Sequence, residues 1–248
     1  MRLVILFALC SAVAACASMN GNAADEPKPV FEDTFENLDN WVSEGPQTVE
    51  LQDGRLHMKT VDDERKVGQY VWCRRELPKD FKLTWDVTPT SESGFFLVFF
   101  CQQGVKGEDI LGDELFKEYM PAKDWKPYED FDKYVSAPNR AAHHESRIRG
   151  YHVSYRRNEA ANCNFRKNPG LNLLESHPVD ALLPKDKTAH VELTKQGGRV
   201  RLVVDGKLFM DKTDPEDPWS GGRFGFRQVY VSDGLYDNVR LYDLTEER

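Results

Sequence analysis

Cysteine is scarce in the body of this chain. Of five in the sequence, only Cys73, Cys101 and Cys163 lie beyond residue 16. Three thiols cannot all pair within one chain, and no Cys-x-x-Cys or Cys/His spacing suits zinc. At least one thiol therefore stays free or pairs between chains, one disulfide remains open to an exported protein, and buried free thiols are expected for at least two of the three. Also missing are a glycine-rich nucleotide loop, a G-x-S-x-G elbow and a Cys/His nucleophile pair. Basic charge is in deficit: 33 Lys and Arg stand against 41 Asp and Glu, for a net charge of −8. That balance argues against nucleic acid or an anionic lipid surface as the main partner. Beyond the first fifteen residues no apolar run is long enough to cross a bilayer.

What is present begins with Arg2 and the apolar run Leu3 to Ala15, which reads as a bacterial export signal over residues 1–15. "VAAC", ending in Cys16, resembles a lipobox, so lipidation at Cys16 is expected. Ordinary cleavage after Ala17 or within "GNAA" is the alternative. The expected location is a periplasmic or outer-surface lipoprotein, otherwise periplasmic or extracellular, touching membrane only through the anchor. Residues 16–29 are small, polar and Pro-containing, as in a tether. One folded domain is expected over 30–244, followed by a tail at 245–248.

The domain reads as some ten short strands with turn dipeptides between them. In "FKLTWDVTP", Phe81, Leu83, Trp85 and Val87 share one face and Lys82, Thr84 and Asp86 the other. "GFFLVFFC" is apolar on both faces and belongs centrally, covered on both sides. Asp53-Gly54, Gly197-Gly198 and Asp205-Gly206 mark hairpins. The exception to short turns is Lys106 to Arg149, a polar excursion with one short helical candidate at "DELFKEY" and enough aromatics to expect order. The fold class expected is all-β, a jelly-roll sandwich of two antiparallel sheets. The opening "VFEDTFENLDNW" and the closing "LYDNVRLYDL" are expected to be neighbours. Asp33 and Asp237 could then share a structural calcium, or be two solvated acids near turns.

"GYHVSYRRN", "NFRKNPG" and "GFRQ", with "FFCQQGVKGEDI" and "VWCRRELPKDFKLTWDVTP", resemble the bacterial family of domain of unknown function 1961. The resemblance covers nearly all of Val30 to Leu244. It implies a concanavalin-A-like jelly roll of the lectin/glucanase type, and relatives found among genes for breakdown of plant or algal polysaccharides. One departure is Arg147 in "HHESRIRGYH", where an acidic residue would be expected.

Period-two alternation through "GYHVSYRRN" sends Tyr151, Val153 and Tyr155 to the core and His152, Ser154 and Arg156 to the opposite face. Polar rows on a sheet suit sugar hydroxyls, and a guanidinium fork suits a carboxylate. By the same alternation Arg227, with Gln228 beside it, and Asn164 and Arg166 join Arg156 as candidate saccharide ligands, unless a bulge reverses them. The alternative is that these arginines are paired surface side chains. Trp125 and Tyr128 could stack on a sugar from the long excursion, or simply pack it down.

Two reactions are chemically open for an oligo- or polysaccharide, uronate-containing on the arginine reading. A glycosidase needs two flanking carboxylates. Glu108 or Asp109 supplies one, with Glu145 or Glu175 as distant partners, but the E-x-D-x-(x)-E strand of sandwich glucanases is absent. A lyase needs a carboxylate neutraliser (Arg156, Arg227, Gln228, Asn164) and a base, for which His152 and His144 qualify. A divalent metal on His144, His152 and Glu108 is a third option, though no cofactor is required. The competing function is a non-catalytic, lectin-like lipoprotein.

Overall fold

The computed structural model describes residues 28–45, 48–61, 68–112, 148–156, 162–177 and 183–245. Among them every regular element is a strand: β1 (Phe31–Asp33), β2 (Trp41–Glu44), β3 (Thr48–Gln52), β4 (Arg55–Thr60), β5 (Gln69–Cys73), β6 (Phe81–Pro89), β7 (Phe95–Gly104), β8 (Ile148–Arg156), β9 (Cys163–Asn168), β10 (Asn172–His177), β11 (Ala189–Gln196), β12 (Arg199–Val204), β13 (Lys207–Thr213), β14 (Arg223–Val229) and β15 (Ser232–Asp243). The count exceeds ten because several flanking strands, such as β1, β2 and β10, are too short or too exposed to announce themselves by periodicity. The helical candidate at "DELFKEY" lies outside the described residues. The excursion also ends sooner than expected, since Ile148 and Arg149 already belong to β8.

All pairings are antiparallel and build two sheets. One runs β13-β12-β11-β6-β15-β4-β3, with β1 also on β15; the other runs β10-β9-β8-β7-β14-β5-β2. Alternation explains how they face. In β6, Phe81, Leu83, Trp85 and Val87 are fully buried, while Lys82, Asp86 and Thr88 look outward and are half-exposed. Their partners across the sandwich include Phe96, Val98 and Phe100 of β7, Tyr151, Val153 and Tyr155 of β8, and Phe226 of β14. Each fully buried large side chain contributes about 2–3 kcal/mol. Phe226 lies against Trp41, Trp85 and Tyr236, so one ring ties the two sheets together.

The hairpins follow their dipeptides. Asp53-Gly54 (φ 53° and 70°) and Asp205-Gly206 (φ 47° and 73°) are two-residue loops with both φ positive, the twist that matches right-handed strands. Cys73, Cys101 and Cys163 are all free and buried, and burial pushes the Cys73 and Cys101 thiols up to about 12.

The first and last described strands pair as expected: Asp33 sits opposite Val239 in the β1–β15 ladder. Asp33 has protein partners at the position where a calcium was expected. Its carboxylate accepts hydrogen bonds from the Phe35 N–H (2.8 Å), Asn40 Nδ2 (3.0 Å) and Trp41 Nε1 (2.9 Å), so its lone pairs face N–H donors. Asp237 lies two residues from Asp33's partner and bonds the N–H of Asn238. No cluster of three or more His, Cys, Asp or Glu among the described residues is arranged to hold a metal ion.

Candidate functional site

The outer face of the seven-stranded sheet carries two side-by-side rows. The first crosses it as Arg166, His152, Phe99, Gly225, Trp72 and Val42, each paired with the next through the ladders. The second runs Asn164, Ser154, Leu97, Arg227, Tyr70 and Glu44, its first step made by the Asn164 N–H donating to Ser154 Oγ at 2.8 Å. Two central strands that are apolar on both faces make this possible. Their inward residues join the sandwich core, and their outward residues form a second apolar cluster of Tyr70, Trp72, Leu97, Phe99, Ile110 and Val229.

The aromatic groups have defined geometry. Tyr70 and Trp72, two apart on β5, stack at 5.4 Å and 14°. Phe99 meets both edge-on, at 5.5 and 5.9 Å. Its ring also lies beneath His152, 4.8 Å away and tilted by 19°. At the far end the indole N–H of Trp72 donates to the Glu44 carboxylate.

His152 is on the expected face but only 8% exposed. Burial holds its imidazole down to about 3, and the charges of Arg227 and then Arg166 add to the effect. The ring is therefore neutral at any ordinary pH. Asn168 Nδ2 donates to its Nδ1 at 3.3 Å. Arg227 lies with its guanidinium carbon 4.8 Å over the Tyr70 ring, and its buried Nε has no hydrogen-bond acceptor among the described residues. Gly68 leaves the room for it: a Cβ there would stand 2.6 Å from that Nε. Arg166 donates from Nη1 to the Leu171 carbonyl at 2.6 Å. Neither Arg166 nor Arg227 has an ion pair among the described residues.

Arg156 departs from the expectation. A bulge opposes Phe96 and Leu97 to Arg156 and Ser154, with Tyr155 as the extra residue. Arg156 consequently lies against the Phe96 ring of the core, at 5.2 Å. Its five N–H donors meet the carbonyls of Ser91, Glu92, Ser93 and Leu183 and the Ser91 hydroxyl. It fastens two loops and has no donor left for a sugar. Gln228 is also corrected. It follows Arg227, so alternation turns it inward, where it is fully buried and donates to Tyr236 Oη at 3.2 Å.

Among the described residues, Glu108, Asp109 and Glu175 each have a separate partner. Asp109 is gripped by Arg223 through Nε (3.0 Å) and Nη2 (2.6 Å), and that guanidinium holds its carboxyl below the usual range. Glu108 accepts the Lys106 N–H at 2.9 Å and closes its own turn. Glu175 pairs with His177 at 3.1 Å on the edge strand β10. Asn164 is on the outer face, its Oδ1 accepting from Ser176 Oγ at 2.9 Å. Cys16, Trp125, Tyr128, His143, His144 and Glu145 lie outside the described residues, which leaves the His144–His152–Glu108 metal set one described histidine and one described acid.

Sequence reasoning missed Tyr70, Trp72, Glu44, Phe99 and Asn168. Splitting "YVWC" by parity, as was done for "GYHVSY", would have set Tyr70 and Trp72 apart from the core residues Val71 and Cys73.

With this geometry in view, comparison with known proteins gives a family. A family model described as "Domain of unknown function (DUF1961)" matches residues 30–241. The chain belongs to the DUF1961 family. It is 24% identical over 219 residues to the uncharacterized protein YesU of Bacillus subtilis, covering 83% of this chain and 90% of that one. Among solved structures, a Bacillus subtilis protein of unknown function with a galectin-like fold superposes with a TM-score of 0.66 at 23% identity, covering 87% of this chain and 96% of the other. The carbohydrate binding module CBM66 from Bacillus subtilis superposes at 0.52 with 16% identity, over 84% and 98%. At these identities the likeness establishes the fold alone of this DUF1961 member, a galectin-like sandwich of two antiparallel sheets.

Proposed function

We propose that this protein binds an acidic saccharide across the outer face of the seven-stranded sheet. The observation that carries the reading is the pair of guanidinium groups, Arg166 and Arg227, set about His152 with no carboxylate partner among the described residues. An unpaired arginine beside an apolar, aromatic surface is costly to keep unless an anion completes it. Tyr70, Trp72 and Phe99 suit the apolar faces of a sugar ring, and Asn164 and Ser154 suit its hydroxyls. The likeness to a carbohydrate binding module supports a saccharide as the ligand class.

Cleavage of a glycosidic bond in that saccharide is the second reading, and elimination is the form the observations favour. An arginine pair would neutralise a uronate carboxylate, a base would take the C5 proton, and the C4–O bond would break with the leaving oxygen gaining a proton. The arginine pair favours this reading over hydrolysis, for which Asp109 is already committed to Arg223. Export of the protein as a lipoprotein through Cys16 is part of the same proposal.

Calorimetry against acidic and neutral oligosaccharides of equal length tests the binding reading. Acidic ones bind, and Arg166→Ala and Arg227→Ala each weaken them; equal affinity for neutral ones would sink it. Rising absorbance of unsaturated uronate during incubation would establish elimination, and new reducing ends without it hydrolysis. Binding with neither product leaves the protein a lectin.

A further inference from the structure

The hydrogen bond between Asn168 and His152 has a direction, and the direction decides what the histidine offers a ligand. Asn168 ends β9, is fully buried, and takes the Trp219 indole N–H on its backbone carbonyl at 2.9 Å. Its side-chain Nδ2 faces His152 Nδ1, and its Oδ1 is buried without a partner among the described residues. Turning the amide over would exchange that one orphaned acceptor for an NH2 group with no acceptor in its place. An orphaned carbonyl oxygen is the lesser cost, because buried N–H groups without partners are the rarer case in folded proteins. The observed orientation makes Nδ1 an acceptor. A neutral imidazole has one proton, so Nε2 must hold it.

We propose that Asn168 is a positioning residue that fixes His152 in the Nε2–H tautomer, so that the histidine meets the saccharide as a hydrogen-bond donor and not as a base. This rests on the outer face being the saccharide site. The groups around the ring agree. Phe99 from β7 stacks on it and offers no acceptor, Arg166 from β9 and Arg227 from β14 bring positive charge, and Asn168 is the hydrogen-bonding neighbour on the β9 side. Two guanidinium groups disfavour a second proton on the ring, and no described residue accepts from Nε2. A sugar hydroxyl or carboxylate oxygen beside Arg166 and Arg227 would accept from it.

Long-range 1H–15N correlation on the free protein reads the tautomer directly. Nδ1 is expected at the shift of an unprotonated nitrogen and Nε2 at that of a protonated one, across neutral pH. A carboxylate can only accept, so Asn168→Asp should move the proton to Nδ1 and reverse the two shifts. It should also weaken a galacturonate trimer about five- to tenfold, the loss of one donor to the ligand. Should Asn168→Asp fail to fold, the wild-type spectrum still decides the tautomer. An Nδ1–H ring or an imidazolium at neutral pH would overturn the proposal, as would an Asn168→Asp protein with unaltered shifts. A trimer that does not bind wild-type protein at all would instead remove the saccharide reading and leave the tautomer to stand on its spectrum.

Discussion

Arg156 and Arg227 are guanidinium groups on strands of one sheet, and they should respond to mutation in opposite ways. Arg156 holds four backbone carbonyls from two loops, so Arg156→Ala strands buried acceptors. A loss of about 3 kcal/mol or more is expected in urea unfolding. Arg156→Lys keeps the charge without the fork and should recover only part of it. Arg227 has no ion pair to lose among the described residues. Arg227→Ala should stay within about 1 kcal/mol of wild type while acidic-saccharide affinity falls by about tenfold or more. His152 supplies a pH signature. Its folded-state value lies near 3 and an unfolded histidine near 6.5. The unfolded chain therefore binds the extra proton first. The contribution is complete above about 6.5 and is lost as pH falls toward 3, by a few kcal/mol at most. His152→Gln should flatten that part of the stability-against-pH curve; an unaltered slope would contradict the assigned burial.

At the scale of strands, the lesson concerns what local pattern can and cannot carry. Phe81, Leu83, Trp85 and Val87 were legible in the sequence because one strand's parity is a local property. So were Tyr151, Val153 and Tyr155, and the turn at Asp205-Gly206. Parity failed one residue later. The bulge at Tyr155 exists because β8 must match β7, a strand some fifty residues away in sequence, and nothing within "SYRRN" records it. Gln228 was a different failure, since the alternation that turned Arg227 outward already sent its neighbour inward. Asp109 could not be read without Arg223, which lies more than a hundred residues further on. Gly225 makes a strand-level prediction. A Cβ there would stand 2.4 Å from the Val71 carbonyl and 2.6 Å from the Trp72 ring. Gly225→Ala should force β14 from β5, lowering stability by about 1–3 kcal/mol. It should also shift the Trp72 fluorescence, because the indole sits in the same cross-strand row.

For the molecule as a whole, charge and topology both bear on behaviour. The protein is acidic overall, so an acidic ligand approaches against the net field and is held by local arginine charge. Affinity for acidic oligosaccharides should therefore fall on raising salt from about 0.05 to 0.5 M, while any neutral ligand stays nearly unaffected; a salt-independent acidic complex would argue for contacts other than the arginines. Topology has a temporal meaning too. The strand nearest the beginning, β1, hydrogen-bonds along β15, which is also a central strand of its sheet. A ribosome that has made everything except the last few dozen residues has released a chain with a gap through the middle of one layer. Closure of that layer must wait for the finishing stretch.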